Sequence, residues 1–108
     1  MSDSFARSMM KAIRPPFSPV MYVPSGANQN ELGDITVIEH EGTIHLFHLA
    51  LPSLDVVTHA VSTDGLSWRS AAPAIHTGGP RDCDGDMIWT MHVIRHPSRK
   101  RFHMYYTG

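Results

Sequence analysis

The chain has a single cysteine, Cys83, among its 108 residues, so it cannot form an internal disulfide framework. Long hydrophobic runs are also missing, because no stretch approaches the roughly 20 apolar residues that a membrane-spanning helix needs. Charge of either sign is not in excess, and the formal net charge is -1. We therefore expect neither a nucleic-acid partner nor a membrane partner, since both select strongly basic surfaces.

The N-terminal sequence MSDSFARSMMKAIRPPF also lacks the apolar core of a secretory signal. This absence predicts a cytoplasmic protein. The hydrophobic content of 42% and the charged content of 18% are typical of a globular chain. A chain of this length is enough for one small domain at most.

Two regions of the chain differ in composition. Residues 1–30 contain prolines that exclude a long helix and interrupt strand ladders, at Pro15, Pro16, Pro19 and Pro24. We predict an extended arm over residues 1–30, with a short helix possible over Ser4–Ile13. Residues 31–108 are predicted to form the folded β unit.

Short runs typical of strands, separated by turn residues, fill the second region. The predicted strands are Ile35–His40, Thr43–Leu51, Asp55–Ser62, Ser67–Ala72, Asp86–His96 and Phe102–Thr107. Glu41-Gly42 predicts a tight hairpin turn, and Thr63-Asp64-Gly65 predicts another turn. Residues 71–85 are rich in glycine and proline, so they are predicted to be a loop. The fold class is therefore predicted to be all-β.

The two β blocks share a plan. Each opens on a Gly-Asp step, Gly33-Asp34 or Gly85-Asp86, and continues through an apolar strand, a turn and a strand with aromatic residues. Self-similarity with a period of about 50 residues is typical of β-propellers. On this interpretation Asp86 repeats the position of Asp34 in the next blade.

Four residues are candidates for chemistry or binding. Asp34 is either a turn residue before a strand or a carboxylate facing a cavity, and glycoside cleavage needs such carboxyl groups beside the scissile bond. Asp86 is a candidate for hydrogen bonding to sugar hydroxyls. Trp89 either offers a stacking face to a sugar or packs in the core. His59 is either structural or part of the pocket lining.

No metal or other cofactor is expected. His45 and His48 fall on opposite faces of one predicted strand, so they cannot both ligate one ion. No HExxH pattern occurs, and the acids in RDCDGDMIW do not follow the calcium-loop pattern.

The sequence resembles the N-terminal part of the five-bladed β-propeller glycoside hydrolases of families 32 and 43. The matching segments are Arg14-Pro15-Pro16-Phe17, the strands from Gly33-Asp34 through IHLFHL, the segment THAVSTDGLSW at 58–68, and DMIWTMH at 86–92 followed by the terminal MYYTG. The resemblance covers about residues 14–108. It departs from family 32 in lacking the W-M-N-D-P-N-G signature, and Met91 stands where that family has glycine.

The resemblance implies a partial propeller, with the first blade and part of the second blade following an extended N-terminal arm. It implies a glycosidase acting on furanoside-type sugars such as fructosides, arabinosides or xylosides, with Asp34 as nucleophile or general base. Asp86, Trp89 and His59 would bind the carbohydrate. The general acid would belong to a blade after Gly108, so the 108-residue chain is expected to be a fragment, inactive alone. A non-catalytic carbohydrate-binding propeller and a structural or self-associating β module remain as alternatives, and the oligomeric state is left open.

Overall fold

The computed structural model describes residues 22–24 and 32–108. Six strands account for the regular structure there: β1 (Leu32–His40), β2 (Thr43–Ala50), β3 (Val56–Ser62), β4 (Arg69–His76), β5 (Trp89–Arg95) and β6 (Phe102–Thr107). The prediction of an all-β fold is confirmed for these residues. They contain no helix that could cross a membrane. The predicted helix over Ser4–Ile13, and most of the predicted arm, lie outside the described residues.

The strands form two antiparallel sheets. Strands β1 to β4 make a four-stranded meander in sequence order, and β5 pairs with β6 in a two-stranded hairpin. The predicted turn between β1 and β2 is present, with positive φ at both Glu41 (50°) and Gly42 (79°). That conformation matches the right-handed twist of the strands it joins. The N–H of Gly42 donates to the Glu39 carboxylate at 2.8 Å, which fixes the turn further.

Several predicted strand boundaries were wrong, and the errors of three residues or more are at the start of β1, which is Leu32 rather than Ile35, at the end of β4 and at the start of β5. Strand β4 was expected to end at Ala72 and give way to a loop, but it continues through Pro73 to His76. β4 is an edge strand of its sheet, and an edge tolerates a residue that has no N–H to donate. Strand β5 begins at Trp89 rather than Asp86. The preceding residue, Ile88, is fully buried and its N–H donates to the carbonyl of Leu54 at 2.7 Å, outside either sheet.

The core lies between the two sheets. Buried side chains from β2, β3 and β5 and from the connections meet there: Phe47, Leu49, Leu54, Val57, Ile88, Met91 and Val93. Successive side chains of a strand point to opposite faces, so Phe47 and Leu49 both lie on the face of β2 that points into the core. Burial of this apolar surface is the main force holding the hairpin against the larger sheet.

The other face of the larger sheet is covered near the segment Tyr22–Pro24. The Tyr22 hydroxyl lies 2.8 Å from Nε2 of His48, and the Tyr22 ring packs edge-on against Trp68. Burial raises the pKa of Tyr22 above its usual value. His48 is thereby held on the face opposite Phe47, as the alternation along β2 predicts.

The loop between β4 and β5 is tied to the end of β6. The Tyr106 hydroxyl donates to the buried Asp84 carboxylate at 2.8 Å, and the Gly78 N–H donates to the other carboxylate oxygen at 3.2 Å. The hydrogen bond to Asp84 is the main cause that raises the pKa of Tyr106. Gly85 leaves no room for a side chain, since a Cβ there would lie 2.2 Å from the carbonyl oxygen of Gly79.

Candidate functional site

The first strands of the two sheets, β1 and β5, lie side by side and are linked through side chains. The Thr90 hydroxyl donates to the Asp34 carboxylate at 2.7 Å, and Thr36 Oγ1 lies 3.5 Å from Nδ1 of His92. Both contacts join residues 56 apart in sequence. The two strands therefore run in the same direction, with equivalent positions adjacent.

Each of these two strands contains a β-bulge at the same place. In β1 the pairing register shifts between Leu32 and Ile35, and in β5 it shifts between Trp89 and Met91. A bulge adds one residue and re-aims the neighbouring side chain out of the regular alternation. Asp34 and Thr90 lie within these two bulges, so the same distortion presents both of them at the junction of the sheets.

The bulge in β1 depends on glycine next to Asp34. A Cβ at Gly33 would lie 2.9 Å from Cβ of Leu49, closer than side chains normally approach. Leu49 is buried in the core, so it has little room to move. Gly33 thus allows the strand to approach Leu49 at the point where Asp34 turns outward.

Asp34 places a carboxylate at the junction of the two sheets. It is exposed, and one of its oxygens accepts the Thr90 hydroxyl, which orients the group. Trp89 precedes Thr90, and nearly half of its surface is exposed (47%). An exposed indole ring can stack on the apolar face of a sugar, and a carboxylate can bind sugar hydroxyls or act on the anomeric carbon.

Asp86 is not in the position that the predicted repeat gave it. It lies in the loop before β5 and is exposed, while the position equivalent to Asp34 is occupied by Thr90. Equivalent residues of β1 and β5 are therefore 56 positions apart in the sequence, rather than the predicted period of about 50. A sequence signal for this spacing exists in the matching tetrapeptides VIEH at 37–40 and VIRH at 93–96. Sequence reasoning missed Thr90, Thr36 and His92 because it aligned the blocks on their Gly-Asp steps.

His59 lies away from Asp34. It lies on β3 and pairs with Phe47 of β2, which in turn pairs with Thr36 of β1. Two strand spacings therefore separate His59 from β1, roughly 10 Å. Its ring stacks on Phe47 at 4.4 Å between centroids, and its Nε2 is 3.0 Å from Nδ1 of His45. Burial and the neighbouring His45 lower the pKa of His59. Trp89 directly precedes Thr90, which contacts Asp34, whereas His59 lies two strands away from β1.

Met91, which the resemblance aligned with a glycine of family 32, is buried in the core between the sheets. Its bulk therefore fills space between β5 and the larger sheet. Its neighbours Thr90 and His92, which are both exposed, take part in the links to β1.

Other polar features of the described residues lie elsewhere. A hollow of about 280 Å³, lined by Thr43, Ser62, Trp68 and Arg69 among others, is at the end of the larger sheet remote from Asp34 and includes no acidic side chain. Within residues 22–24 and 32–108, no group of three or more His, Cys, Asp or Glu side chains is arranged to hold a metal ion.

Comparisons with known proteins gave no match to a family model, to a curated protein or to a solved structure.

Proposed function

We propose that the two sheets are neighbouring blades of a β-propeller that acts on carbohydrate, and that Asp34 is the carboxylate that attacks the anomeric carbon or activates water. The observation that carries this proposal is the hydrogen bond from Thr90 to Asp34. It joins the bulged inner ends of two adjacent first strands, which in a propeller would face the central cavity. The resemblance of the sequence to family 32 and family 43 glycoside hydrolases assigns a carboxylate to the same position.

The proposed substrate is a furanoside, with Trp89 stacking on the sugar and Asp34 below the anomeric carbon. As nucleophile, the Asp34 carboxylate forms a bond to the anomeric carbon while the bond to the leaving oxygen breaks. The leaving oxygen of a natural glycoside must then take a proton from a general acid. The resemblance assigns that acid to a later blade, so the test should not depend on it.

Aryl furanosides that release 2,4-dinitrophenolate provide such a test, because this leaving group departs without protonation. The expected inactivity of the 108-residue chain concerns natural glycosides, whose leaving oxygen needs the missing general acid, so the corresponding natural disaccharides should stay intact. From an aryl arabinofuranoside or fructofuranoside, whose leaving group needs no proton, we expect the chain to release 2,4-dinitrophenolate. Asp34→Asn should reduce the release by at least about 100-fold, the lower end of the effect of a catalytic carboxylate. Thr90→Val removes the orienting hydroxyl and should reduce it by about 10-fold, equivalent to 1.4 kcal/mol.

Asp55→Asn is the matched control, since Asp55 is also exposed and lies just before β3. It should leave the release unchanged. An Asp34→Asn variant with the activity of the unmodified chain would contradict the assignment of Asp34.

Carbohydrate binding without hydrolysis is the second candidate, and the exposed ring of Trp89 favours it. In that case sugars would change the tryptophan fluorescence, Trp89→Phe would remove the change, and Asp34→Asn would preserve the affinity. The other tryptophan, Trp68, packs against Tyr22 and is not expected to respond.

A further inference from the structure

The two surfaces that meet between the sheets each have an equivalent elsewhere in the described chain, and both equivalents are exposed. By register, Val37 and Ile35 of β1 are equivalent to Val93 and Met91 of β5. Val93 and Met91 are buried against the larger sheet, with exposures of 7% and 4%. Val37 and Ile35 carry the same apolar character but are 50% and 54% exposed. We call Ile35, Val37 and Glu39 the outer face of β1.

The second sheet exposes the equivalent of the surface that β5 covers on the larger sheet. The pairing of Thr36 with Phe47 corresponds to that of His92 with Tyr105, so Tyr105 is equivalent to Phe47. Phe47 is 9% exposed beneath β5, whereas Tyr105 is 62% exposed. We call the surface around Tyr105 the open hairpin face, formed by Ile94, His96, His103 and Tyr105.

A hydrogen-bonding group on the open hairpin face also has no partner. Nε2 of His103 is buried and makes no hydrogen bond within the described residues. In the larger sheet the equivalent residue, His45, has its ring nitrogen 3.0 Å from that of His59. In the larger sheet that partner lies on the neighbouring strand β3, so the missing partner of His103 belongs to the edge of β6, and the proposed contact across the face does not rest on it.

We propose that the outer face of β1 of one copy of this chain packs on the open hairpin face of a second copy, repeating the contact that already joins the two sheets. The apolar groups correspond position by position, because Val37 would occupy on the second copy the place that Val93 occupies within the chain. This inference concerns the 108-residue chain and does not depend on the proposed carbohydrate function, under which a later blade would cover the open hairpin face.

The charges of the two faces are complementary. Within the chain, Arg95 shares a hollow with His40 and Glu41. In the repeated contact Glu39, the equivalent of Arg95, would lie near His96 of the second copy, whose ring is 5.4 Å from that of His103. The turn that follows His96 contains Arg99, Lys100 and Arg101. A carboxylate is thus brought to a surface of imidazoles and basic side chains, which favours correct docking.

The two faces differ, so the contact is head-to-tail rather than two-fold symmetric. Such contacts close into rings or continue into chains of copies. The same equivalence places Asp34 of one copy beside Thr90 of the next.

Sedimentation velocity of the 108-residue chain over a wide concentration range tests this proposal. The average mass should rise above the 12.0 kDa of one copy as the concentration increases. Val37→Glu places a charge in the outer face of β1, and Tyr105→Glu places one in the open hairpin face. Each variant alone therefore lacks one of the two docking faces and should remain a monomer. A mixture of the two should form dimers and nothing larger, because each variant retains the face that the other lacks.

Leu66→Glu is the matched control, since Leu66 is 65% exposed in a turn outside both faces, and it should associate like the unmodified chain. Dimers in the mixture also show that both variants are folded. The proposal is overturned if the unmodified chain is a monomer at every concentration, or if either face variant still associates alone. Circular dichroism that shows an unfolded variant calls for the milder pair Val37→Thr and Tyr105→Thr, with the same expected pattern.

Discussion

The two sheets carry the same strand pattern but bury it differently. The hairpin of β1 and β2 is covered on its inner face by β5, and Phe47 is buried there. In the hairpin of β5 and β6, the equivalent Tyr105 is exposed. The difference shows that the position of a residue in a strand decides which way it points, whereas a neighbouring sheet decides whether it is buried.

Replacing the two equivalent aromatic residues should give the largest contrast. Phe47→Ala should lower the free energy of unfolding by about 3–5 kcal/mol, because it leaves a cavity between the sheets. Tyr105→Ala should change it by about 0.5 kcal/mol or less in the monomer, since an exposed side chain leaves no cavity. Urea unfolding at a low protein concentration, where association is negligible, measures both. Equal losses at the two positions would contradict the asymmetry between the sheets.

If Phe47→Ala does not fold, Phe47→Leu provides a milder comparison. It should cost less than Phe47→Ala, because Leu keeps most of the apolar volume at this position.

A smaller effect is expected where the second sheet is tied to its loop. Tyr106→Phe removes the hydrogen bond to the buried Asp84 and should lower the free energy of unfolding by about 1–2 kcal/mol. Tyr105→Phe is the matched control and should be neutral, as no hydrogen bond of its hydroxyl is present among the described residues. Tyr106→Phe should also remove a tyrosine with a raised pKa from the alkaline titration of tyrosinate absorbance.

The sign of the pH effect at Tyr106 follows from the raised pKa. The stabilisation is fully present below the unfolded value of 10.0 and is lost as the pH rises through the folded pKa. If the component that Tyr106→Phe removes from the titration has the ordinary tyrosine pKa of 10.0, the bond to Asp84 is absent in solution.

The smallest effect concerns His59 in the larger sheet. Burial, and then the charge of His45, lower its pKa below the unfolded value of 6.5. The unfolded chain therefore binds the proton more readily, so the free energy of unfolding should decrease as the pH falls below 6.5 and level off below the folded pKa. His59→Gln should flatten this dependence in urea unfolding measured at several pH values. A slope that is unchanged in His59→Gln would refute the assignment.

Much of the strand layout was predictable from local signals. β6 was predicted with its observed bounds, and the Glu41-Gly42 turn is where hairpin chemistry places it. Which strand faces are exposed could not be predicted. Val37 and Val93 are both valines in matching tetrapeptides, and they differ in burial only because another sheet packs on Val93. The continuation of β4 through Pro73 was missed because proline indicates a break unless the strand is known to be an edge.

Part of the candidate site could be named from sequence. Asp34 and Trp89 were predicted because an acid before a strand and a nearby aromatic residue have a recognisable chemistry, and their roles remain predictions. Thr90 was missed, since its role comes from a bulge that depends on the pairing of β5 with β6 over residues far apart in the chain. His59 was left as either structural or pocket-lining, because sequence does not distinguish a pocket-lining histidine from one that stacks on Phe47.

The hydrogen bond from the N–H of Ile88 to the carbonyl of Leu54 has a consequence for how the chain folds. A two-stranded hairpin in isolation is marginal in water, and β5 and β6 gain their stability from a surface that the earlier strands provide. During synthesis the meander emerges from the ribosome first, so it can be assembled before the hairpin is complete. We therefore expect Ile88 to insert beside Leu54 late and to position the incoming hairpin, so that the protein assembles from its meander towards β6.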